Sequence, residues 1–529
     1  MPNEKKGEFF FPTTNIGVKD KATLLAIDNV SLPLRKSLCY YLSKPEVRIE
    51  PVLTPSGNGN DPDSICTGLN GTVLYDGGKF RMWYCGAYFG ANPDWPQEEM
   101  DAFNQFPPFL HDYVCGPVCY AESDDGVNWI KPNIGQVKFK GSTNNNIVRL
   151  PDAGAQMPTL IIDRDDPDPM RKYKMIYQEQ YHPVTTKAVN PVGDCATWPT
   201  VRTATSPDGI NWTAGERFPI QDFTEQASFY KFNGMYIISG HKVGMISCSE
   251  GGAPGGRQGY AQVSMNFDDW LQESAESFML AEPCDPAKRG IRVSAYDHVH
   301  LGPGATGFGN VMVGLYGIWH ERKDQCDVSC DLGLVVSNDG IHFREPVKGH
   351  VYIGTGDSPV AQPEGKDYLN ILVQGCILNH GDETLIYHSR WRNASFTTDD
   401  LLDMYFDIAL AKLPRDRWGA LGLFPHMDEG SVWSTPIGLP ERDFDMYLNA
   451  DGARNMRIEV SDERFGLIEG FSGDGSGFIT EDGGLECKVA WPNGPLAALG
   501  GKTVRFRILL KRMDGLEPRL FAVYLLSRK

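Results

Sequence analysis

The stretch SDDGVNW (123–129) returns as SPDGINW (206–212) and as SNDGIHF (337–343), and two degenerate copies, SMNFDDW (264–270) and AKLPRDRW (411–418), complete the set. The closing aromatics Trp129, Trp212, Trp270, Phe343 and Trp418 are spaced at intervals of about 60–80 residues, the signature of an internal repeat. In the clearest copies the Asp-Gly pair supplies a turn with positive φ, and the aromatic that follows packs back on a sheet. Each copy follows a short strand-like run: CYAES, RTATS, YAQVS, GLVVS and DIALAK.

Upstream of each turn lies another apolar run rich in β-formers: FRMWYCG (80–86), YKMIYQE (173–179), MYIISGH (235–241), VMVGLYG (311–317) and TLIYHSR (384–390). Four of these are introduced by turn strings, DGGK, PMRK, FNG and GDE. The unit is therefore strand, turn, strand, loop, strand, aspartate turn, outer strand. Five such units predict an all-β chain built as a five-bladed β-propeller over residues 51–422. Residues 1–50 are expected to form an arm packed on the propeller. After Trp418 the pattern changes. In TVRFRILL (503–510), Val504, Phe506 and Ile508 alternate with Arg505 and Arg507, the period of a half-buried antiparallel strand. MRIEVSD (456–462), LECKVAW (485–491) and FAVYLLS (521–527) are further strand-like runs, so residues 423–529 are expected to form a C-terminal β-sandwich.

Composition narrows the functional classes. The 529 residues are 41% hydrophobic and 22% charged, an ordinary globular balance, and 57 glycines with 36 prolines favour turns over long helices. The net charge of −18 and the absence of a Lys/Arg-rich block argue against nucleic acid as a partner. No apolar run is long enough to span a bilayer or to form a secretory leader, which predicts no membrane partner and a cytoplasmic location. Twelve cysteines are too sparse for a disulfide scaffold. Cys66, Cys85, Cys376 and Cys487 sit in strand-like runs as buried thiols. The C-x3-C pairs Cys115/Cys119 and Cys326/Cys330 have no matching second pair, so neither a metal nor another cofactor is expected.

A propeller followed by a sandwich resembles the glycoside hydrolases of the invertase/levanase type (family 32), and the propeller is also similar to those of arabinanases and xylosidases (family 43). The resemblance implies a carbohydrate substrate, a furanoside or similar small glycoside, cleaved by carboxylates that meet where the innermost strands begin. On that pattern Asn60-Asp61-Pro62-Asp63 of blade one supplies the nucleophile. Asp63 is assigned that role, with Asp61 as the alternative or a substrate contact; both also read as turn aspartates beside Pro62. In blade three Glu225 takes the position of the aspartate that stabilises the transition state. In blade four Asp297 takes the position of the general acid, and His298 and His300 are expected to contact sugar hydroxyls. Asp367 of blade five resembles a substrate-binding aspartate. Asn145, Asn146 and Gln156 of blade two could offer amides. Arg164-Asp165-Asp166-Pro167 copies an Arg-Asp-Pro motif but reads as a solvated outer turn.

The resemblance favours retention of anomeric configuration. A phosphorylase or transglycosylase is the alternative, because His388, Arg390 and Arg392 could form an anion cluster; a non-catalytic carbohydrate-binding propeller is the third reading. One segment has no family template. Residues 87–117 carry Trp95, Phe103, Phe106, Phe109, His111 and Tyr113, too apolar for a solvated loop. They are expected either to roof the funnel, with Trp95 as a sugar platform, or to mediate homo-oligomerisation.

Overall fold

A computed structural model describes residues 7–104, 113–179, 200–217, 225–242, 258–278, 298–321, 328–394, 403–513 and 515–528. Its strands pair into five antiparallel meanders and two further sheets. Blade one comprises Cys66–Asp76, Lys79–Phe89, Tyr113–Ser123 and Trp129–Ile130; blade two Gln156–Ile162, Tyr173–Glu179, Thr200–Ser206 and Thr213–Arg217; blade three Glu225–Phe232, Met235–Lys242, Gln258–Ser264 and Ala275–Phe278. Blade four comprises His298–Gly307, Met312–Glu321, Val328–Ser337 and Val351–Ile353. Blade five takes three strands, Asn370–His380, Glu383–Arg392 and Tyr405–Pro414, and its outer strand, Glu46–Val47, comes from the other end of the propeller sequence. That exchange closes the ring and leaves the last meander without a bare edge.

The repeated turn has one hydrogen-bond pattern. Ser123 Oγ accepts from the Gly126 N–H at 2.9 Å, Asp125 Oδ1 accepts from Val127 and Asn128 N–H at 2.8 and 2.7 Å, and Trp129 Nε1 donates to Gly126 O at 3.1 Å. The degenerate third copy keeps every bond: Asn266 replaces the aspartate, and Phe267 adopts φ +73° where the three clearest copies have glycine. In the fifth copy the positive φ falls one residue later, at Asp416.

Neighbouring blades are pinned through these turns. Trp83 Nε1 of blade one donates to Gly209 O of blade two at 2.9 Å, the Tyr230 hydroxyl of blade three to Gly340 O of blade four at 2.8 Å, and the Tyr387 hydroxyl of blade five to Gly126 O of blade one at 2.7 Å. The last of these joins the final blade to the first.

Residues 1–50 pack on the propeller, with Leu25 and Ile27 among Val313 and Leu315 of blade four and Asp28 bound by Asn338 and Arg344, and they also supply strands to the sandwich. Phe9–Phe11, Lys21–Leu25, Leu34–Lys36 and Leu38–Leu42 pair with the C-terminal strands Ile437–Gly438, Arg519–Ser527, Glu429–Trp433 and Gly419–Leu423 respectively. The apolar residues of this segment, Phe9, Phe11, Ala22 and Leu24, are buried in the sandwich core. A sheet that lacks strands recruits them from wherever the chain supplies an apolar alternating run, and pairing over 400 residues leaves no local mark. The expected alternation in Thr503–Lys511 is present: Val504, Phe506 and Ile508 are buried while Arg505 and Arg507 are only partly covered. Cys66, Cys85 and Cys487 are buried thiols, and Cys376 is half-buried. Among the described residues no helix is long and apolar enough to cross a membrane.

Candidate active site

All five innermost strands are interrupted by a bulge near their beginning: between Gly68 and Thr72, Gln156 and Thr159, Gln226 and Ser228, His300 and Gly304, and Gln374 and Ile377. A bulge bends its strand and frees backbone groups from the ladder. Here those groups are taken by the adjacent blade. The first bulge residues Met157, Leu301 and Leu69 donate their N–H to Cys85 Sγ, His241 Nδ1 and Ser389 Oγ at 2.9, 2.7 and 2.6 Å. In return Gln226 Nε2 donates to Met157 O at 2.8 Å, and Gln374 Nε2 to Gly302 O at 2.5 Å. The bulges thus fix where the start of each innermost strand sits.

Glu225 opens the innermost strand of blade three, two residues before its bulge. Its carboxylate is half-buried, with 30% of the side chain exposed, and Oε2 lies 2.9 Å from His241 Nε2. His241 is fully buried on the next strand, directly opposite Glu225 in register. The corresponding strand of blade two ends in Glu179, also buried, whose Oε1 lies 2.5 Å from Arg202 Nη1. Glu225 is therefore a carboxylate with one side toward solvent and an imidazole behind it. Glu179 is a buried carboxylate paired with a guanidinium on the adjacent strand of the same blade. Sequence reading missed His241, Glu179 and Arg202. The available signal was a polar residue ending an apolar run, in YKMIYQE and MYIISGH.

Most of the other candidates that the structure describes have partners of their own. Asp63 precedes the bulge of blade one by six residues and is almost wholly buried; its Oδ2 accepts from the Tyr84 hydroxyl at 2.7 Å and meets Lys131 Nζ at 2.5 Å. Burial, and then the Asp63 charge, push the Tyr84 phenol well above its ordinary value. Asp61 is half-buried in a turn and donates its N–H to Asn58 O at 2.8 Å. Asp297 lies outside the described residues, as do the side chains of His298 and His300, whose backbone begins the innermost strand of blade four. Asp367 is exposed in the loop before Asn370. Asn146 donates to the Tyr84 hydroxyl at 2.8 Å and so supports Asp63 indirectly, while Asn145 donates to Val137 O at 2.8 Å. Gln156 donates to Gln178 Oε1 at 3.1 Å. Asp165 and Asp166 occupy the turn at the far end of the Gln156–Ile162 and Tyr173–Glu179 hairpin, where Asp165 is exposed and Asp166 is largely covered, 2.6 Å from Lys174 Nζ.

The three cationic candidates of blade five are engaged. Arg390 is buried and bonds both oxygens of Asp407 at 2.7 and 2.9 Å, and its third nitrogen donates to Ile49 O. His388 Nε2 lies 2.8 Å from Ser358 Oγ, and burial pushes its pKa down to about 4. Arg392 donates to the Asp403 and Ala361 carbonyls and stacks over Tyr405.

The described part of the insertion docks on the connection into blade two. Its helix Gln97–Phe103 buries Glu99, whose Oε2 accepts the Ala153 N–H at 2.8 Å, and Asp94 Oδ1 lies 2.7 Å from Lys138 Nζ. Trp95 packs edge-on against Phe103 at 5.5 Å, nearly buried, and borders a cavity of about 260 Å³ with Tyr88 and Phe139. Phe106, Phe109 and His111 lie outside the described residues.

No protein-family model matches the chain, and no curated protein matches it significantly. Solved structures do resemble it. A glycosyl hydrolase from Bacteroides ovatus is 15% identical, covers 70% of this chain and 94% of its own, with a TM-score of 0.38. A β-1,2-mannobiose phosphorylase from Listeria innocua is 13% identical over 71% of this chain and 96% of its own, with a TM-score of 0.39. A GH32 β-fructofuranosidase from Bombyx mori is 12% identical over 92% of this chain and 94% of its own, with a TM-score of 0.36.

Proposed function

We propose that the protein is a glycoside hydrolase that cleaves a furanoside or similar small glycoside at the mouth of the propeller. The observation that carries this reading is Glu225: a part-exposed carboxylate at the start of an innermost strand, backed by a buried imidazole. Glycosidic cleavage needs two carboxyl groups, one to protonate the leaving oxygen and one to attack or to activate water. Asp297 immediately precedes the innermost strand of the adjacent blade and is assigned the acid. Glu225 supplies the negative charge that an oxocarbenium-like transition state needs.

Asp63 is assigned the nucleophile, with net retention as the stereochemical outcome. Attack would fall to Oδ1, because Oδ2 is held by both Lys131 and Tyr84, and it requires the buried carboxylate to be uncovered when sugar binds. Hydrolysis is preferred to phosphorolysis on one observation: His388 and Arg390 are buried against Ser358, Asp407 and Ile49, and Arg392 gives Nε and Nη1 to the Asp403 and Ala361 carbonyls.

A panel of nitrophenyl glycosides and plant and bacterial oligosaccharides, incubated with and without inorganic phosphate, tests the assignment. Release of free sugar without phosphate is expected. Turnover that depends on phosphate would move the assignment to a phosphorylase, and binding of oligosaccharide without turnover would move it to a non-catalytic propeller. Proton NMR of the first-formed anomer reads the stereochemistry.

A further inference from the structure

We infer that His241 is a positioning residue for Glu225, held as the Nε2–H tautomer by the backbone of the adjacent blade; this rests on the glycosidase reading for its consequence but not for its geometry. A neutral imidazole has one N–H donor and one acceptor nitrogen, and the partner of one fixes the role of the other. His241 Nδ1 faces the Leu301 N–H at 2.7 Å. That hydrogen belongs to a peptide and cannot be given up, so Nδ1 must be the acceptor. The ring proton then sits on Nε2, which lies 2.9 Å from Glu225 Oε2.

The backbone that imposes this is itself tightly specified. Leu301 and Gly302 both have positive φ, +61° and +79°, in the blade-four bulge. A Cβ at Gly302 would stand 2.4 Å from Gly240 O, the residue before His241. Blade four therefore closes against the blade-three strand where His241 sits, and Gln374 Nε2 of blade five holds Gly302 O from the other side at 2.5 Å. Full burial excludes water as an alternative partner for Nδ1. A protonated Nε2 held 2.9 Å from Oε2 favours negative charge on that oxygen. Glu225 is thus presented as an oriented anion, suited to stabilise positive charge at the anomeric centre, and Oε2 is not the atom that delivers a proton.

Two variants separate the two ends of the ring. His241→Gln can place an amide N–H near the position of Nε2, and His241→Asn can place an acceptor near the position of Nδ1. With the best substrate of the panel, His241→Gln should keep kcat within about tenfold, while His241→Asn should lose about 10²-fold in kcat with KM changed little, the scale of losing one preorganised donor. Equal losses in both, or no loss in either, would overturn the positioning role. The geometry has its own measurement in the wild-type protein: 15N NMR of labelled histidines, with His241 assigned by its disappearance in either variant, should show Nε2 protonated and Nδ1 bare. The opposite tautomer, or an imidazolium at neutral pH, would overturn the inference irrespective of activity. The stated tautomer together with full turnover in Glu225→Gln would instead remove the glycosidase role of Glu225 and leave the tautomer assignment standing.

Discussion

Lys131 Nζ lies 2.5 Å from Asp63 Oδ2, the oxygen that also accepts the Tyr84 hydroxyl. The aspartate is buried and the lysine is three-quarters covered, so the pair ties the segment before blade one to the segment after its outer strand. Removing one member leaves the other charge poorly solvated. Lys131→Met should therefore lower stability by about 2–4 kcal/mol, measured as a shift in urea midpoint. If Asp63 is the nucleophile, Asp63→Asn should also abolish turnover under conditions where it remains folded. An Asp63→Asn protein that is weakened yet keeps its kcat would leave Asp63 as a structural anion.

Ring closure depends on a two-residue strand. Arg48 N–H donates to Leu410 O at 2.9 Å beside the Glu46–Val47 pairing with Ala411 and Lys412. Proline at 48 removes that donor. Arg48→Pro should cost about 1–3 kcal/mol and should raise amide hydrogen exchange first in Tyr405–Pro414. Exchange that rises uniformly over all five blades would contradict this closure.

His388 gives the propeller a pH dependence with a definite sign. Burial lowers its folded pKa to about 4 from the ordinary 6.5, so the unfolded chain binds more protons between these values. The stability it contributes is complete above about pH 6.5 and is lost as pH falls toward 4. The difference in unfolding free energy between pH 7 and pH 4 should be smaller in His388→Gln than in wild type by on the order of 2–3 kcal/mol. Parallel pH profiles for the two proteins would contradict the burial of a neutral imidazole.

The fivefold turn was legible because its hydrogen bonds are local: Ser123, Asp125 and Trp129 bond within seven residues, and even Asn266 and Phe267 leave a trace of the pattern. The closing strand Glu46–Val47 and the sandwich strands before residue 43 were not, because their partners lie hundreds of residues away and short strands carry almost no period. At the site, Glu225 was reached by counting back from the hairpin that follows it. In blade one the same count lands near Gly68, which has no carboxylate; Asp63, the nearer of the two upstream aspartates, lies six residues before the bulge, and its partners are Lys131 and Tyr84. His241 was invisible as a partner, because only the bulge at Leu301 turns a buried strand histidine toward a role.

We propose that Glu225 serves glycosidic cleavage at the mouth of the propeller. The most direct test is the turnover of Glu225→Gln against wild type on the best substrate of the panel, with urea midpoints measured alongside. The side chain is part-exposed and the substitution nearly isosteric, so the fold should keep its midpoint while kcat falls by about 10²–10⁴-fold. An unchanged kcat in a Glu225→Gln protein of unchanged stability would contradict the account.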